Sequence, residues 1–123
     1  VIRNMILHHT IGVIIHISSI SVHTGYKGLA MYASSKGALE AFSKDTAREW
    51  GPMGIRSNVV VPGFMATAMS STLTDDQRNK IYARTSLKAA TSIRSVAETV
   101  AFLLSEKAES ITGQNIHVDN GTI

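Results

Sequence analysis

The stretch from Met31 to Gly63, MYASSKGALEAFSKDTAREWGPMGIRSNVVVPG, decides how this chain folds. Its first twenty residues hold Ala, Ser, Lys, Glu and Leu and no proline, and they predict a helix over 30–50. Ala33, Gly37 and Ala41 make a stripe of small residues at i, i+4 and i+8, along which another helix or a sheet can approach closely. Ala30, Leu39 and Phe42 widen that apolar surface. Gly51 is the expected C-terminal cap and Pro52 the stop. The run IRSNVVV, residues 55–61, then predicts a strand, ended by Pro62 and Gly63.

Upstream, VIIHIS (13–18) is a short β-branched run of the kind buried in a parallel sheet. The polar, glycine-bearing ISVHTGYKGLA after it reads as a loop, so Thr24, Gly25 and Tyr26 are expected at the surface, with contact to a ligand as the second reading. Val1, Ile2, Met5 and Ile6 recur at helical spacing with no capping residue before them, and read as the tail of a helix whose beginning is missing. Downstream, residues 66–85 are polar and irregular, with TDDQ marking a helix start at Thr74. SVAETVAFLLS (95–105) is an amphipathic helix with Val96, Val100, Leu103 and Leu104 on one side, and QNIHVDNG (114–121) is a third short strand and a turn. Strands alternating with helices imply parallel strands joined by crossover helices, an α/β layered fold. No repeat, linker or low-complexity segment divides the 123 residues, a length enough for one domain and one core.

Composition narrows the function. Twelve basic against nine acidic residues give a net charge of +3, spread along the chain with no basic stripe to track a phosphate backbone, so nucleic acid is not an expected partner. There is no cysteine, which removes disulfides and thiolate metal ligands. No apolar run approaches the ~20 residues that span a bilayer, and no signal-peptide cleavage pattern is present, so a cytoplasmic protein without membrane contact is expected.

Tyr32 and Lys36 lie one helical turn apart. A phenol titrating near pH ~10 is a poor proton carrier at neutral pH. A fixed cation nearby favours its phenolate, which makes such a pair usable for general acid–base work. Ser18 and Ser19 end the 13–18 strand, and the next strand ends in VPGFMAT with Thr67. Both ends fall on the C-terminal edge of the sheet, where open α/β proteins bind ligands. A Pro-Gly turn there is expected to bring backbone close to a ligand. His8 and His9 are adjacent and point apart, His16 and His117 read as satisfied strand residues, and Met65 and Met69 read as apolar lining. No carboxylate or histidine falls at ligand spacing, so no metal site is expected.

Taken in order, ISS, the tyrosine of YASSK 13 residues on, GIRSNVVVPGFMAT and ITGQNIHVDNG resemble the short-chain dehydrogenase/reductase family, most closely its 3-oxoacyl-[acyl-carrier-protein] reductase branch. The resemblance runs from about residue 1 to the last residues. It implies the C-terminal part of a doubly wound, Rossmann-type parallel-sheet domain, the last three of seven strands. It also implies hydride transfer between NAD or NADP and a small-molecule carbonyl/alcohol pair. Ser19 matches the serine that bonds the substrate oxygen, Tyr32 the acid/base, and Lys36 the lysine that holds the nicotinamide ribose. Pro62, Gly63, Met65 and Thr67 match the segment lining the nicotinamide, and residues 66–88 match the lid over the substrate. In the family the 30–50 helix packs on its equivalent in a second subunit, so a homo-oligomer through residues 30–50 is expected.

The chain departs from the family pattern in several places. It has no Gly-x-x-x-Gly-x-Gly turn for the pyrophosphate and no Asn-Asn-Ala-Gly segment. LKAATSIRSVAETV lacks the glycines usual before the penultimate helix, and VDNG replaces VDGG. Residues 1–123 are therefore expected to be the C-terminal half of one domain, with the dinucleotide-binding half absent. The second reading of the same residues is a non-catalytic relative acting as an oligomerisation or binding module.

Overall fold

The computed structural model describes residues 1–122, the side chain of Met69 excepted. Helix α1 (Ile2–Leu7) leads to strand β1 (Gly12–Ile17), a single helical turn α2 (Ser21–Thr24) and the long helix α3 (Ala30–Trp50). Strand β2 (Ile55–Pro62), helices α4 (Asp75–Tyr82) and α5 (Ile93–Leu104) and strand β3 (Asn115–Val118) follow. The three strands are parallel in the order β1-β2-β3, with Gly12–Ile17 paired to Ile55–Val60 and Val59–Pro62 to Asn115–Val118. The expected α/β layering is what the chain forms.

Strand β2 is central, and only Arg56 along it escapes full burial. Its side chains alternate between two layers, as strand geometry requires. Ser57 shares a buried hydrogen bond with Ser43 of α3, 2.8 Å long. On the other face Val60 packs with Val96 and Leu103 of α5 and with Ala108, flanked by Ile15, Met65, Val100, Ile116 and Val118. Arg56 donates to the carbonyls of Leu103, Ser105 and Ile111, which satisfies the open C-terminal end of α5. The helices thus cover opposite faces of the sheet, and the C-terminal ends of all three strands point to one edge.

Helix α4 begins at Thr74 as the sequence predicts. Gln77 N–H donates to Thr74 Oγ1 at 3.3 Å, and Thr74 N–H donates to Gln77 Oε1 at 2.9 Å, the reciprocal capping box. Gly51 caps α3 as expected, in a right-handed conformation (φ −54°), and the chain runs through one 3-10 turn containing Pro52 before Gly54 (φ +77°) supplies the left-handed turn. Two expectations need correction. Ala41 is exposed, and α3 instead turns Glu40, Ser43, Thr46 and Ala47 inward. The exposed side of α3 carries Met31 (86% exposed) and Phe42 (56%), with Ser34, Ala38 and Ala41 between them. Finally, α5 starts two residues earlier than expected, because Ser92 Oγ accepts from Ser95 N–H and caps it.

The two departures in the C-terminal region also have physical accounts. Asn120 takes the left-handed conformation (φ +59°) that VDGG would give to glycine. Its Nδ2 donates to the carbonyls of Ala89 and Ala90, both at 3.0 Å, so the turn after β3 is tied to the segment before α5. Lys88 adopts φ +53° in the stretch that lacks the usual glycines.

Candidate functional site

Lys36 emerges from the first turns of α3 and donates from Nζ to the Ile17 carbonyl, 2.9 Å away at the end of β1. Its Nζ lies 5.8 Å from the centre of the Tyr32 ring. An ammonium has three N–H groups. One is spent on Ile17, which leaves others for a hydroxylated ligand. Tyr32 is 41% exposed, so its phenol stands open at the sheet edge.

Ser18 N–H donates to Val60 O, extending the β1–β2 ladder one residue past the strand and delivering Ser19 to the same edge. Ser19 Oγ accepts from Ser21 N–H at 3.2 Å and contacts Ser21 Oγ at 3.0 Å. Its lone pairs are occupied from within the chain, which leaves the Ser19 proton to be donated outward. The ends of β1, β2 and α3's first turns are thus juxtaposed as the sequence implied.

Gly63 is buried, and a Cβ there would lie 2.5 Å from Thr91 Oγ1 and 2.7 Å from Asp119 Cα. The chain's own packing thus leaves no room for a side chain at this position. Pro62 is buried, and its carbonyl accepts from Ile20 N–H. Met65 packs on the α5 side of the core, while its carbonyl accepts from Ser70 Oγ at 3.2 Å. Thr67 opens a 3-10 turn, its N–H donating to Ser70 Oγ at 3.0 Å. Met69, through its side chain, lies outside the described residues.

Two features escaped the sequence. The loop of Thr24, Gly25, Tyr26 and Lys27 faces Arg84 and Thr122 across an open cleft of about 550 Å³. Lys27 and Arg84 have no carboxylate partner among the described residues. They lie 57 positions apart, so no local pattern joins them. The second feature is a buried polar cluster around Glu40, joined to Ser18, His23 and Asn115.

The histidines divide. His117 is exposed and meets His23 edge-on, ring centres 4.8 Å apart. His16 is not satisfied as expected. Its Nε2 is buried without a hydrogen-bond partner, its ring stands edge-on to Phe42 at 5.7 Å, and burial holds its pKa below the ordinary value.

The observed donor set fits the ribose end of a nicotinamide cofactor: the spare Lys36 N–H groups and the open Tyr32 phenol share one edge. The residues of 1–122 supply no glycine-rich turn for the phosphates.

A family model described as enoyl-(acyl carrier protein) reductase matches residues 1–122. The 3-oxoacyl-[acyl-carrier-protein] reductase FabG of Salmonella typhimurium is 44% identical over 110 residues, covering 89% of this chain and 45% of that protein. The FabG of Buchnera aphidicola is 38% identical over 121 residues, 98% of this chain and 49% of its own length. A solved 4-hydroxyisoleucine dehydrogenase complexed with NADH superposes with a TM-score of 0.94 at 27% identity, over 98% of this chain and 51% of that one. The chain spans about half the length of the curated relatives it matches. Among the described residues no helix is long and apolar enough to cross a membrane.

Proposed function

Because the chain belongs to the short-chain dehydrogenase/reductase family, we propose that residues 1–123 form the C-terminal, catalytic half of one NAD(P)-dependent oxidoreductase domain that interconverts a carbonyl and an alcohol in the cytoplasm. The observation that carries this reading is the Lys36 ammonium, held on Ile17 O beside the exposed Tyr32 ring at the C-terminal edge of the sheet.

When bound, the nicotinamide cofactor supplies or takes the hydride. The chain's own residues do the rest. The Tyr32 hydroxyl gives a proton to the substrate oxygen in reduction and takes it back in oxidation. Ser19, whose Oγ is already held by Ser21, donates a hydrogen bond to the same oxygen as charge develops there. Lys36 directs its spare N–H groups to the ribose hydroxyls. Backbone of Pro62, Gly63, Met65 and Thr67 would border the nicotinamide of a bound cofactor, and the packing of Gly63 and Met65 holds that segment in place.

The cleft bounded by Thr24–Lys27, Arg84 and Thr122 receives the substrate beyond its carbonyl, and two cations there, without a carboxylate partner among the described residues, favour a substrate with an anionic group. Self-association through residues 30–50 is part of this reading, supported by the exposed strip Met31, Ser34, Ala38, Ala41 and Phe42. The decisive experiment is Tyr32→Phe in the native polypeptide that contains these residues. The variant keeps the ring and deletes the proton carrier, so turnover should fall by about 10²–10⁴ while cofactor affinity stays within twofold. Near-normal kcat would remove Tyr32 from the mechanism.

A further inference from the structure

Glu40 lies one turn beyond Lys36 on α3 and is only 9% exposed. Its Oε1 accepts from Ser18 Oγ at 2.6 Å and meets His23 Nε2 at 3.1 Å, and its Oε2 accepts from Asn115 Nδ2 at 2.7 Å. Since a carboxylate only accepts, His23 Nε2 is the donor. The single carboxylate therefore joins the end of β1, the turn α2, the helix α3 and the strand β3. Burying a charge is costly, and a well-packed apolar residue commonly serves stability as well or better. The neighbourhood suggests what the charge does. Ser18 immediately precedes Ser19. His23 belongs to the same short turn as Ser21, which holds Ser19 Oγ. Lys36 is bound to the same strand end through Nζ on Ile17 O, and its carbonyl lies 3.4 Å from Ser18 Oγ.

Resting on the reading above, we propose that Glu40 is a positioning residue for the reaction. It acts through Ser18, His23 and Asn115 to hold Ser19 at a fixed distance from Tyr32 and Lys36, without touching substrate or cofactor.

The chemistry permits a reciprocal test in the native polypeptide. Glu40→Ala removes all three bonds. Asn115→Asp sets two carboxylates against each other. Glu40→Gln combined with Asn115→Asp exchanges amide and carboxylate, so that the pair re-forms in reverse while the amide carbonyl introduced at position 40 still accepts from Ser18. Glu40→Ala should lower kcat at least tenfold with KM for the carbonyl substrate within threefold, measured well below the melting temperature, and the His23 ring nitrogen signal should shift in the NMR spectrum. Asn115→Asp should lower kcat similarly. The double variant should return kcat to within about threefold of the parent, and its melting temperature should recover in parallel. A parent that turns over while Glu40→Ala retains kcat within twofold overturns the proposal alone, as does a double variant no better than Asn115→Asp. Should Glu40→Ala fail to fold, the double variant decides. A parent with no turnover on any carbonyl or alcohol overturns the proposed function and this proposal with it.

Discussion

Gly63 offers a direct test of whether this sheet edge is shaped by its own packing or by a ligand. Gly63→Ala adds a single methyl group. That carbon would sit 2.5 Å from Thr91 Oγ1, 2.7 Å from Asp119 Cα and 3.0 Å from Asp119 Cβ, against ordinary contacts of roughly 3.5 Å or more. Something must move by about 1 Å, and neither neighbour is free to do so. Asp119 is held by Gly121 N–H on its Oδ1 (2.9 Å) and by Thr122 Oγ1 on its carbonyl (2.7 Å). Thr91 is buried, and its N–H donates to Phe64 O at 2.8 Å.

Overpacking a rigid site costs about 1–3 kcal/mol, and the backbone contact puts this variant at the upper end. For a domain about twice as long as these 123 residues the unfolding entropy is about 0.5 kcal/mol/K, so ~3 kcal/mol lowers Tm by about 6 °C. Gly51→Ala is the control. Gly51 has φ −54° and nothing within 4 Å of an added Cβ. There the substitution should stabilise by roughly 0.4–1 kcal/mol, a rise of about 1–2 °C, by restricting the unfolded chain. Calorimetry on the two variants and the parent reads both signs. A Gly63→Ala protein melting within 2 °C of the parent would refute the packing account, and if it also lost cofactor affinity the glycine would serve the ligand after all.

Three further outcomes follow from the same structure. Burial holds the His16 pKa below the ordinary 6.5, so the unfolded chain takes up that proton first. The stabilisation from neutral His16 is therefore present above pH ~6.5 and lost as the pH falls through the lowered folded value, and His16→Leu should remove this slope. Melting curves of parent and variant between pH 8 and 5 that run parallel would contradict it. Asn120→Ala loses two hydrogen bonds and strains a left-handed position, and should cost about 2 kcal/mol, whereas Asn120→Gly loses only the bonds and should cost about 1. Urea denaturation giving the reverse order would remove the left-handed turn from the explanation. Residues 1–123 purified by themselves should show no micromolar affinity for NADH or NADPH in a calorimetric titration, since they carry no phosphate-cradling turn.

What the sequence disclosed and what it withheld divide along the range of the interactions involved. Helix α3 was legible to the residue, because a run of 21 residues without proline, twelve of them Ala, Met, Leu, Lys, Arg or Glu, is bracketed by a loop and by Gly-Pro. The Tyr32–Lys36 pair was legible for the same reason, a single turn of one helix fixing both. The strands and their common edge followed from short β-branched runs alternating with helices. The inward face of α3 was not legible. Ala, Ser and Gly surround the helix, so small residues mark no one side, and the stripe read through Ala41 was displaced from the buried Glu40, Ser43 and Ala47. The reason for Gly63 was also hidden, since Thr91 and Asp119 press on it from 28 and 56 positions away. Gly54 replaced Gly51 as the left-handed residue because Pro52 is accommodated in a 3-10 turn between them.

Glu40 is the sharpest case of a residue that local pattern misplaces. Read by itself, a glutamate in an Ala-rich helix belongs in solvent. Three partners, 22, 17 and 75 positions distant, make it an interior residue, and only the closed sheet brings them together. Natural chains that violate their own burial pattern tend to do so at functional sites. Here the violation sits one turn from Lys36 and one residue, through Ser18, from Ser19. Apolar packing could fill the same volume without the desolvation cost. The interior charge is therefore best understood as part of the apparatus that holds the edge of the sheet in register with α3.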